Sequence, residues 1–226
     1  MAKKVFWYKS FTCPLCGEEF ETVRVFSSAI AIKERDVFLR PTYRGVNPDW
    51  YNLVTCPSCY FSAFENDFET ILARMNFKAL EDLRRSLERA RKNLSPELGE
   101  DRNAEDAHII DVLGLLTYMK VDMAFKMAQI LLKMGWYYLD KKDMENAAIT
   151  YSKALKQFER SFGEDKKGQH SDAIMFYIAS LNIQLNHTRE GFKWLEKLVR
   201  DYRGTNSHFI KAGQKLWEDI RGNEQN

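Results

Sequence analysis

The chain has 226 residues, of which 45% are hydrophobic and 29% are charged, and its formal net charge is +2. A nucleic-acid-binding domain is usually visibly basic, so this balance argues against nucleic acid as the main partner. No apolar run approaches the roughly 20 residues that a membrane-spanning helix needs, and the short apolar stretch at the start is interrupted by Lys9 before it could form the core of a signal peptide. We therefore expect a cytoplasmic protein with no membrane partner.

The four cysteines form two matching pairs near the start of the chain, Cys13 with Cys16 and Cys56 with Cys59. Two Cys-x2-Cys turns supply the four thiolates of a tetrahedral site, which predicts one zinc ion per chain. Four sulfur ligands leave no position for an activated water, so we expect the zinc to be structural. The alternatives are a redox or a disulfide role, although disulfide frameworks belong mainly to small secreted domains.

Residues 1–64 are predicted to form a small zinc-ribbon-like β module. Strand-favouring stretches occupy residues 20–26, 29–39 and 50–55, with turn signals between them. We expect Trp7, Trp50 and Tyr51 to pack around the metal. So small a module has little hydrophobic core, and metal binding would contribute much of its folding energy.

Residues 65–226 are predicted to be helical, which makes the fold class α+β, mostly α. Apolar residues recur at helical spacing from 64 to 94, which predicts one long helix with a bend near Asn76. Further helices are predicted at about 104–119 and 121–140, and a last one at about 207–220 that would cap a helical array.

An internal repeat in this half resembles the tetratricopeptide pattern, in which small residues let two antiparallel helices approach closely. The first copy is matched by Gly135, Tyr138, Ala147, Tyr151, Ala154 and Leu155. A more divergent copy is matched by Ala179, Asn186, Gly191, Leu195 and Leu198. The pattern predicts an array of tetratricopeptide-like helical hairpins.

The leading functional prediction is a non-catalytic adaptor that binds a protein or peptide in the groove of this array. The repeat pattern places a set of side chains from two first helices on that groove: Gln129, Leu132, Lys133, Trp136 and Asp140, then Phe176, Tyr177, Ser180 and Gln184. The alternative for the aromatic members is that they pack against neighbouring helices.

A nucleic-acid-binding zinc ribbon with a helical oligomerisation domain is the rival interpretation. It depends on a mildly basic stretch from 23 to 45 that includes Arg24, Lys33, Arg35 and Arg40. Catalysis has less support, because the four histidines have no triad or ligand spacing and the glycines form no phosphate-binding loop. We therefore expect no enzyme activity.

Several motifs together resemble a bacterial family of unassigned function, domain of unknown function 2225. The matching motifs are Phe11-Thr12-Cys13-Pro14-Leu15-Cys16-Gly17, Arg35-Asp36, Asn47-Pro48-Asp49-Trp50-Tyr51, Cys56-Pro57-Ser58-Cys59 and Asp67-Phe68. The resemblance covers most of the chain and implies the same architecture, a zinc module followed by tetratricopeptide-like helices. That family usually has Gly-Tyr after its last cysteine, where this chain has Tyr60-Phe61. Because the family has no settled activity, the resemblance implies no particular function.

Overall fold

The computed structural model describes residues 4–165 and 168–224. Their contacts divide into two compact units. The first comprises the chain up to Lys33 together with Thr42–Met123, and the second comprises Glu34–Pro41 together with the chain from Ala124 onward. The boundary predicted between residues 64 and 65 falls inside the first unit. Within the described part, no helix is both long enough and apolar enough to cross a membrane.

Six short strands, counted over the described residues, form three two-stranded pairs. They are β1 (Phe6–Thr12), β2 (Glu19–Val25), β3 (Ile32–Arg35), β4 (Pro41–Tyr43), β5 (Leu53–Thr55) and β6 (Ser62–Phe64). Strands β1 and β2 are antiparallel, with Thr12 opposite Glu19, and β5 and β6 are antiparallel, with Thr55 opposite Ser62. Each of these two pairs therefore presents a hairpin loop that contains one cysteine pair.

The strand predictions are correct in part. The stretch 20–26 is β2, and β1, β4 and β6 lie outside the predicted strands. The stretch 50–55 begins as a 3-10 turn, Pro48–Tyr51, because the Asn47 side chain accepts the Asp49 N–H at 3.0 Å and starts a helical turn. The stretch 29–39 is a strand only as β3, since the chain turns at Asp36.

Eight α-helices are found in the described part of the chain, so the fold is mostly α with a small β module at the N-terminus, as predicted. The helices are α1 (Glu65–Phe68), α2 (Phe77–Asn93), α3 (Ala104–Val121), α4 (Ala124–Asp140), α5 (Met144–Glu164), α6 (Ser171–Gln184), α7 (Thr188–Asp201) and α8 (His208–Glu224). The helices predicted at 104–119, 121–140 and 207–220 correspond to α3, α4 and α8.

The prediction of one long helix over 64–94 is wrong, because the helical stretch is interrupted just before α2. Met75 is extended, with ψ 138°, and Asn76 begins α2 by accepting the Ala79 N–H on its side chain at 2.8 Å. An N-cap residue has non-helical dihedral angles, so the preceding helix cannot run through it. The predicted bend near Asn76 is therefore a helix start.

Helix α3 packs against the β5–β6 pair, which explains why the first unit extends past residue 64. The fully buried Tyr118 hydroxyl donates to Asp67 Oδ2 at 2.7 Å and accepts the Phe64 N–H at 3.0 Å. Burial, and next the hydrogen bond to Asp67, raise the pKa of Tyr118, so the phenol stays protonated. One side chain of α3 thus holds the end of β6 and the start of α1.

The helices of the second unit form hairpins with close crossings at glycine. A Cβ on Gly135 of α4 would lie 2.2 Å from Cε1 of Tyr151 on α5, so only glycine fits at this crossing. A Cβ on Gly191 of α7 would lie 2.5 Å from Cγ1 of Ile183 on α6. Small residues at these positions let the helix backbones approach, as the repeat pattern requires. The assignment of these hairpins to the tetratricopeptide class stays a prediction.

Candidate metal centre

Two matching turns carry the cysteine pairs, each in the loop of a hairpin. In the first turn, the Gly17 N–H donates to the Cys13 carbonyl at 2.9 Å, and the Cys13 N–H donates to the Glu18 carbonyl at 2.8 Å. In the second turn, the Tyr60 N–H donates to the Cys56 carbonyl at 2.9 Å, and the Cys56 N–H donates to the Phe61 carbonyl at 3.0 Å. The same backbone pattern therefore presents both pairs of sulfurs.

The residue after each second cysteine has a left-handed backbone. Gly17 has φ +80° and Tyr60 has φ +62°. At Tyr60 a bulkier residue adopts the conformation that glycine favours. Its hydroxyl donates to the Leu94 carbonyl at 3.3 Å, a contact that glycine could not make.

The four sulfur atoms form one cluster. Every Sγ lies within 4.8 Å of the others, with 3.6 Å between Cys13 and Cys59 and 3.6 Å between Cys16 and Cys56. A disulfide needs a sulfur–sulfur distance of about 2.05 Å, so these are four separate thiols. The cluster can hold a metal ion, with each cysteine offering one ligand atom.

The thiols of the cluster are electrostatically linked. Hydrogen bonds from Cys56 and Cys59 lower the pKa of Cys13 to about 4, because a thiolate at Cys13 accepts from both neighbours. The bonds to Cys13 and Cys56 raise the pKa of Cys59, which keeps its proton between the sulfurs. The cluster therefore offers one thiolate readily, and a bound cation would take the place of the remaining protons.

Aromatic rings form an apolar support beside the cysteine turns. Phe11 precedes Cys13 by two residues, and its ring centroid lies 5.4 Å from that of Phe68. Phe61 follows Cys59 by two residues and lies 5.1 Å from Phe68 by the same measure. Phe68 is fully buried. The position of Phe11 and Phe61 beside the cysteines is the signal in the sequence that could have identified them.

The aromatic residues that we predicted around the metal lie elsewhere. Trp7 sits at the opposite end of the β1–β2 pair from Cys13, opposite Arg24, and its ring packs on Phe26. Tyr51 is buried, and its hydroxyl donates to the Glu100 carbonyl at 2.7 Å. The Trp50 carbonyl accepts from Arg102 at 2.7 Å. Strand pairing separates these residues from the hairpin loops.

Three of the nine predicted groove residues are buried and not exposed to a ligand. Leu132, Phe176 and Ser180 have exposed fractions of 6%, 0% and 1%. The Phe176 ring lies 5.8 Å from that of Phe209 on α8, so it faces the interior. The groove prediction is corrected for these residues, because neighbouring elements cover Phe176 and Ser180 on α6, and Leu132 lies on the buried side of α4.

The other six predicted groove residues reach the surface to different degrees. Asp140 is exposed, and the rest are half-buried: Gln129, Lys133, Trp136, Tyr177 and Gln184. The Tyr177 ring is stacked on Phe158 at 5.4 Å and therefore also contributes to packing. Their role in binding a partner stays a prediction.

The basic residues of the rival nucleic-acid interpretation are partly engaged within the protein. Arg24 forms an ion pair with Glu65 and donates to the Tyr51 carbonyl at 2.7 Å. Arg40 forms an ion pair with Asp140. Arg35 donates to the Leu39 carbonyl at 3.3 Å. Charges held in this way are less available to a phosphate backbone.

We expect Gly17→Ala to lower the free energy of unfolding of the first unit by about 1–2 kcal/mol, because a Cβ is unfavourable in the left-handed region. The space around Gly17 is open, so no steric clash adds to this cost. Gly163→Ala on α5 is the control, because this position is also in open space, has no left-handed φ and lies in the second unit, so it should leave the unfolding of the first unit unchanged. Urea unfolding of both variants measures the difference, and an equal effect of the two would contradict the strain argument.

Comparison with known families assigns the chain to one family. A family model described as "Uncharacterized protein conserved in bacteria (DUF2225)" matches residues 6–220. No curated protein and no solved structure matches the chain. The match spans nearly the whole chain, so the chain belongs to this bacterial family, as its motifs indicated.

Proposed function

We propose that this member of the DUF2225 family is a non-catalytic adaptor, in which a structural zinc ion holds the N-terminal ribbon and the helical unit binds a protein or peptide. The proposal has two parts, the identity and role of the metal and the binding surface. Different residues support each part.

Zinc suits the cysteine cluster for geometric reasons. Zn–S bonds of about 2.3 Å in a tetrahedron place the sulfurs about 3.8 Å apart. The sulfur–sulfur separations in the structure include two of 3.6 Å and none above 4.8 Å. Iron also accepts four thiolates in this arrangement, and metal analysis of the purified protein distinguishes the two.

A structural role for the metal follows from the ligand set. Four thiolates complete the tetrahedral shell, so no site remains for a water or substrate. The two cysteine turns are far apart in the chain, and each belongs to a two-stranded pair that would be marginal alone. A shared metal would therefore join the two hairpins, in addition to the packing of Phe11 and Phe61 against Phe68.

The binding surface is supported by one stripe on α4. Gln129, Lys133, Trp136 and Asp140 follow each other at helical spacing and are all half-buried or exposed, while the adjacent Leu132 is buried. A partly exposed tryptophan among polar residues is typical of an interface anchor. Trp136 is the single observation that carries the adaptor proposal.

Affinity capture with defined variants tests the adaptor. We expect the zinc-loaded chain to retain one recurring protein from native cells, and Trp136→Ala to reduce its recovery at least about tenfold, because interface anchors are worth more than 1.4 kcal/mol. Met144→Ala is the control, since Met144 is 66% exposed on the second helix of the same hairpin. Capture that is unchanged in a folded Trp136→Ala variant would contradict the proposal.

The nucleic-acid alternative has a separate test. Retention on single-stranded nucleic acid that falls with salt, and that is lost on neutralising Arg24, Lys33, Arg35 and Arg40, would favour it. The ion pairs of Arg24 and Arg40 make the adaptor the better-supported proposal.

A further inference from the structure

A two-stranded arm, residues 31–44, is buried only at its tip. All four residues of β3 are exposed, and Ile32 is 46% exposed. By contrast, Leu39 at the turn between β3 and β4 is only 8% exposed. An isolated strand pair is marginal in water, so contacts at the tip decide whether the arm is docked.

The turn at the tip is organised by its own polar contacts. The Asp36 Oδ1 accepts the N–H of Phe38 at 2.9 Å and the N–H of Arg40 at 2.8 Å. The Leu39 N–H donates to the Asp36 carbonyl at 3.0 Å. Leu39 has φ +63°, which is rare for a residue with a branched side chain. This turn presents Leu39 as a projecting apolar side chain.

The tip segment, Glu34–Pro41, is part of the second unit. Leu39 belongs to the same buried cluster as Met175, Phe176 and Ala179 of α6, and Val37 and Phe38 pack against that cluster. Arg40 pairs with Asp140 at the end of α4, the last residue of the stripe that contains Trp136. The segment therefore occupies a place beside the first helices of both hairpins.

A buried hydroxyl lies near the docked tip without a hydrogen bond. Within the described chain, the Tyr151 hydroxyl has no hydrogen-bond partner, although Tyr151 is only 3% exposed. Burial raises the pKa of Tyr151, with opposing effects from the nearby Arg40 and Asp36 charges. A buried donor normally has an acceptor, so the docked tip leaves a polar group unsatisfied that another ligand could satisfy.

We infer that the tip segment is an internal ligand of the helical unit, and that the partner of the proposed adaptor displaces it with a peptide of the same chemistry. This inference rests on the proposed function. That peptide has an apolar side chain projecting from a turn, followed by a cation that pairs with Asp140 in place of Arg40. A backbone carbonyl near Tyr151 would give it a hydrogen bond that the tip lacks.

The contact between the tip segment and the helices is small, as expected for a ligand that can be displaced. Leu39 is the buried anchor, Val37 and Phe38 are only partly buried, and the Arg40 ion pair involves an Asp140 side chain that is 65% exposed. Exposed ion pairs contribute little affinity but restrict which partners fit. Segments with few buried contacts open locally without global unfolding, which would make the surface accessible.

The test uses the full metal-loaded chain and a synthetic peptide. The receptor variant carries Val37→Gly, Phe38→Ser, Leu39→Gly and Arg40→Ser, which removes the anchor and the cation but keeps the length of the turn. The probe is a labelled peptide with the sequence of residues 31–44, closed by a disulfide between cysteines added at its ends. We expect at least about tenfold tighter binding to the variant than to the unaltered chain, because the attached tip competes at a millimolar effective concentration.

Charge reversal shows whether the peptide binds where the tip does. Asp140→Lys in the receptor variant should weaken peptide binding, and Arg40→Glu in the peptide should restore it. Glu218→Lys, at an exposed position on α8, is the control and should change neither. If the fourfold variant loses its helical circular-dichroism signal, the single substitution Leu39→Gly replaces it, since glycine favours the left-handed turn.

Equal affinity for the variant and the unaltered chain would overturn the inference, as would a folded variant that does not bind the peptide. Failure of the charge reversal to restore binding would also overturn it. Peptide binding without any captured protein would instead remove the adaptor proposal and leave the internal ligand in place. Partner capture without peptide binding would instead remove the internal ligand and leave the adaptor proposal in place.

Discussion

Cys56→Ser is expected to abolish stoichiometric metal binding and to unfold the ribbon, while the helices of the second unit keep their circular-dichroism signal. A structural zinc site in a zinc-finger peptide contributes about 10–16 kcal/mol of apparent binding free energy at neutral pH, which exceeds what two short strand pairs supply by themselves. Cys56 is fully buried and lies at the junction of β5 with its cysteine turn, so its loss removes a ligand that solvent cannot replace. This is the largest effect that we expect from any single substitution.

The measurement combines metal content by mass spectrometry with limited proteolysis and circular dichroism under reducing conditions. Ser58→Ala is the matched control, because Ser58 lies in the same turn but offers no ligand. Removing the metal from the unaltered chain with a chelator should reproduce the Cys56→Ser result. Purified protein without stoichiometric metal, or a Cys56→Ser variant with a full complement of metal, would disprove the metal site.

Phe176→Ala is expected to lower the free energy of unfolding of the second unit by about 3–5 kcal/mol. Phe176 is fully buried, and its ring lies 5.5 Å from Tyr177 and 5.8 Å from Phe209. Removing a buried aromatic side chain loses its transfer free energy and leaves a cavity that the neighbours fill only partly. The repeat pattern alone would predict almost no loss, since it places Phe176 on the groove surface.

Urea unfolding with zinc in excess measures this loss. Gln184→Ala on the same helix is the control, and we expect a change of about 0.5 kcal/mol or less, which is usual for surface substitutions. A loss below about 1 kcal/mol for Phe176→Ala would mean that the side chain is exposed in solution, and the groove prediction would then stand for it.

Gly135 and Phe176 show which features of the helical unit the sequence pattern predicts and which it does not. Gly135 could be identified from the sequence because a close crossing of two adjacent helices is a local event, fixed by residues less than 20 positions apart. The burial of Phe176 depends on α8, more than 30 residues later, and on the tip segment, more than 130 residues earlier. Helical periodicity reports which residues share a face, but not how many other elements cover that face.

The cysteine cluster and the helical hairpins follow from the sequence by itself. A metal site needs only four ligands of one kind at a spacing that a tight turn can accommodate. Helix starts such as Asn76 and Asn103 depend on a side chain that accepts a backbone N–H two or three residues later. Short-range hydrogen bonds of this type survive in almost any tertiary context. The cysteine turns and the helix starts can therefore be predicted from the sequence.

Only the tertiary structure decided the extent of the first unit, the packing of Phe11 and Phe61 against Phe68 beside the cysteine cluster, and the placement of the tip segment. Asp67 and Tyr118 are 51 residues apart, and nothing in their local sequence indicates that one hydroxyl joins them. Leu39 lies in a β-favouring stretch and would be expected on an exposed strand, yet it is buried with residues of α6. Burial of apolar surface is non-directional, so many pairings of distant segments satisfy it, and only the folded chain selects one.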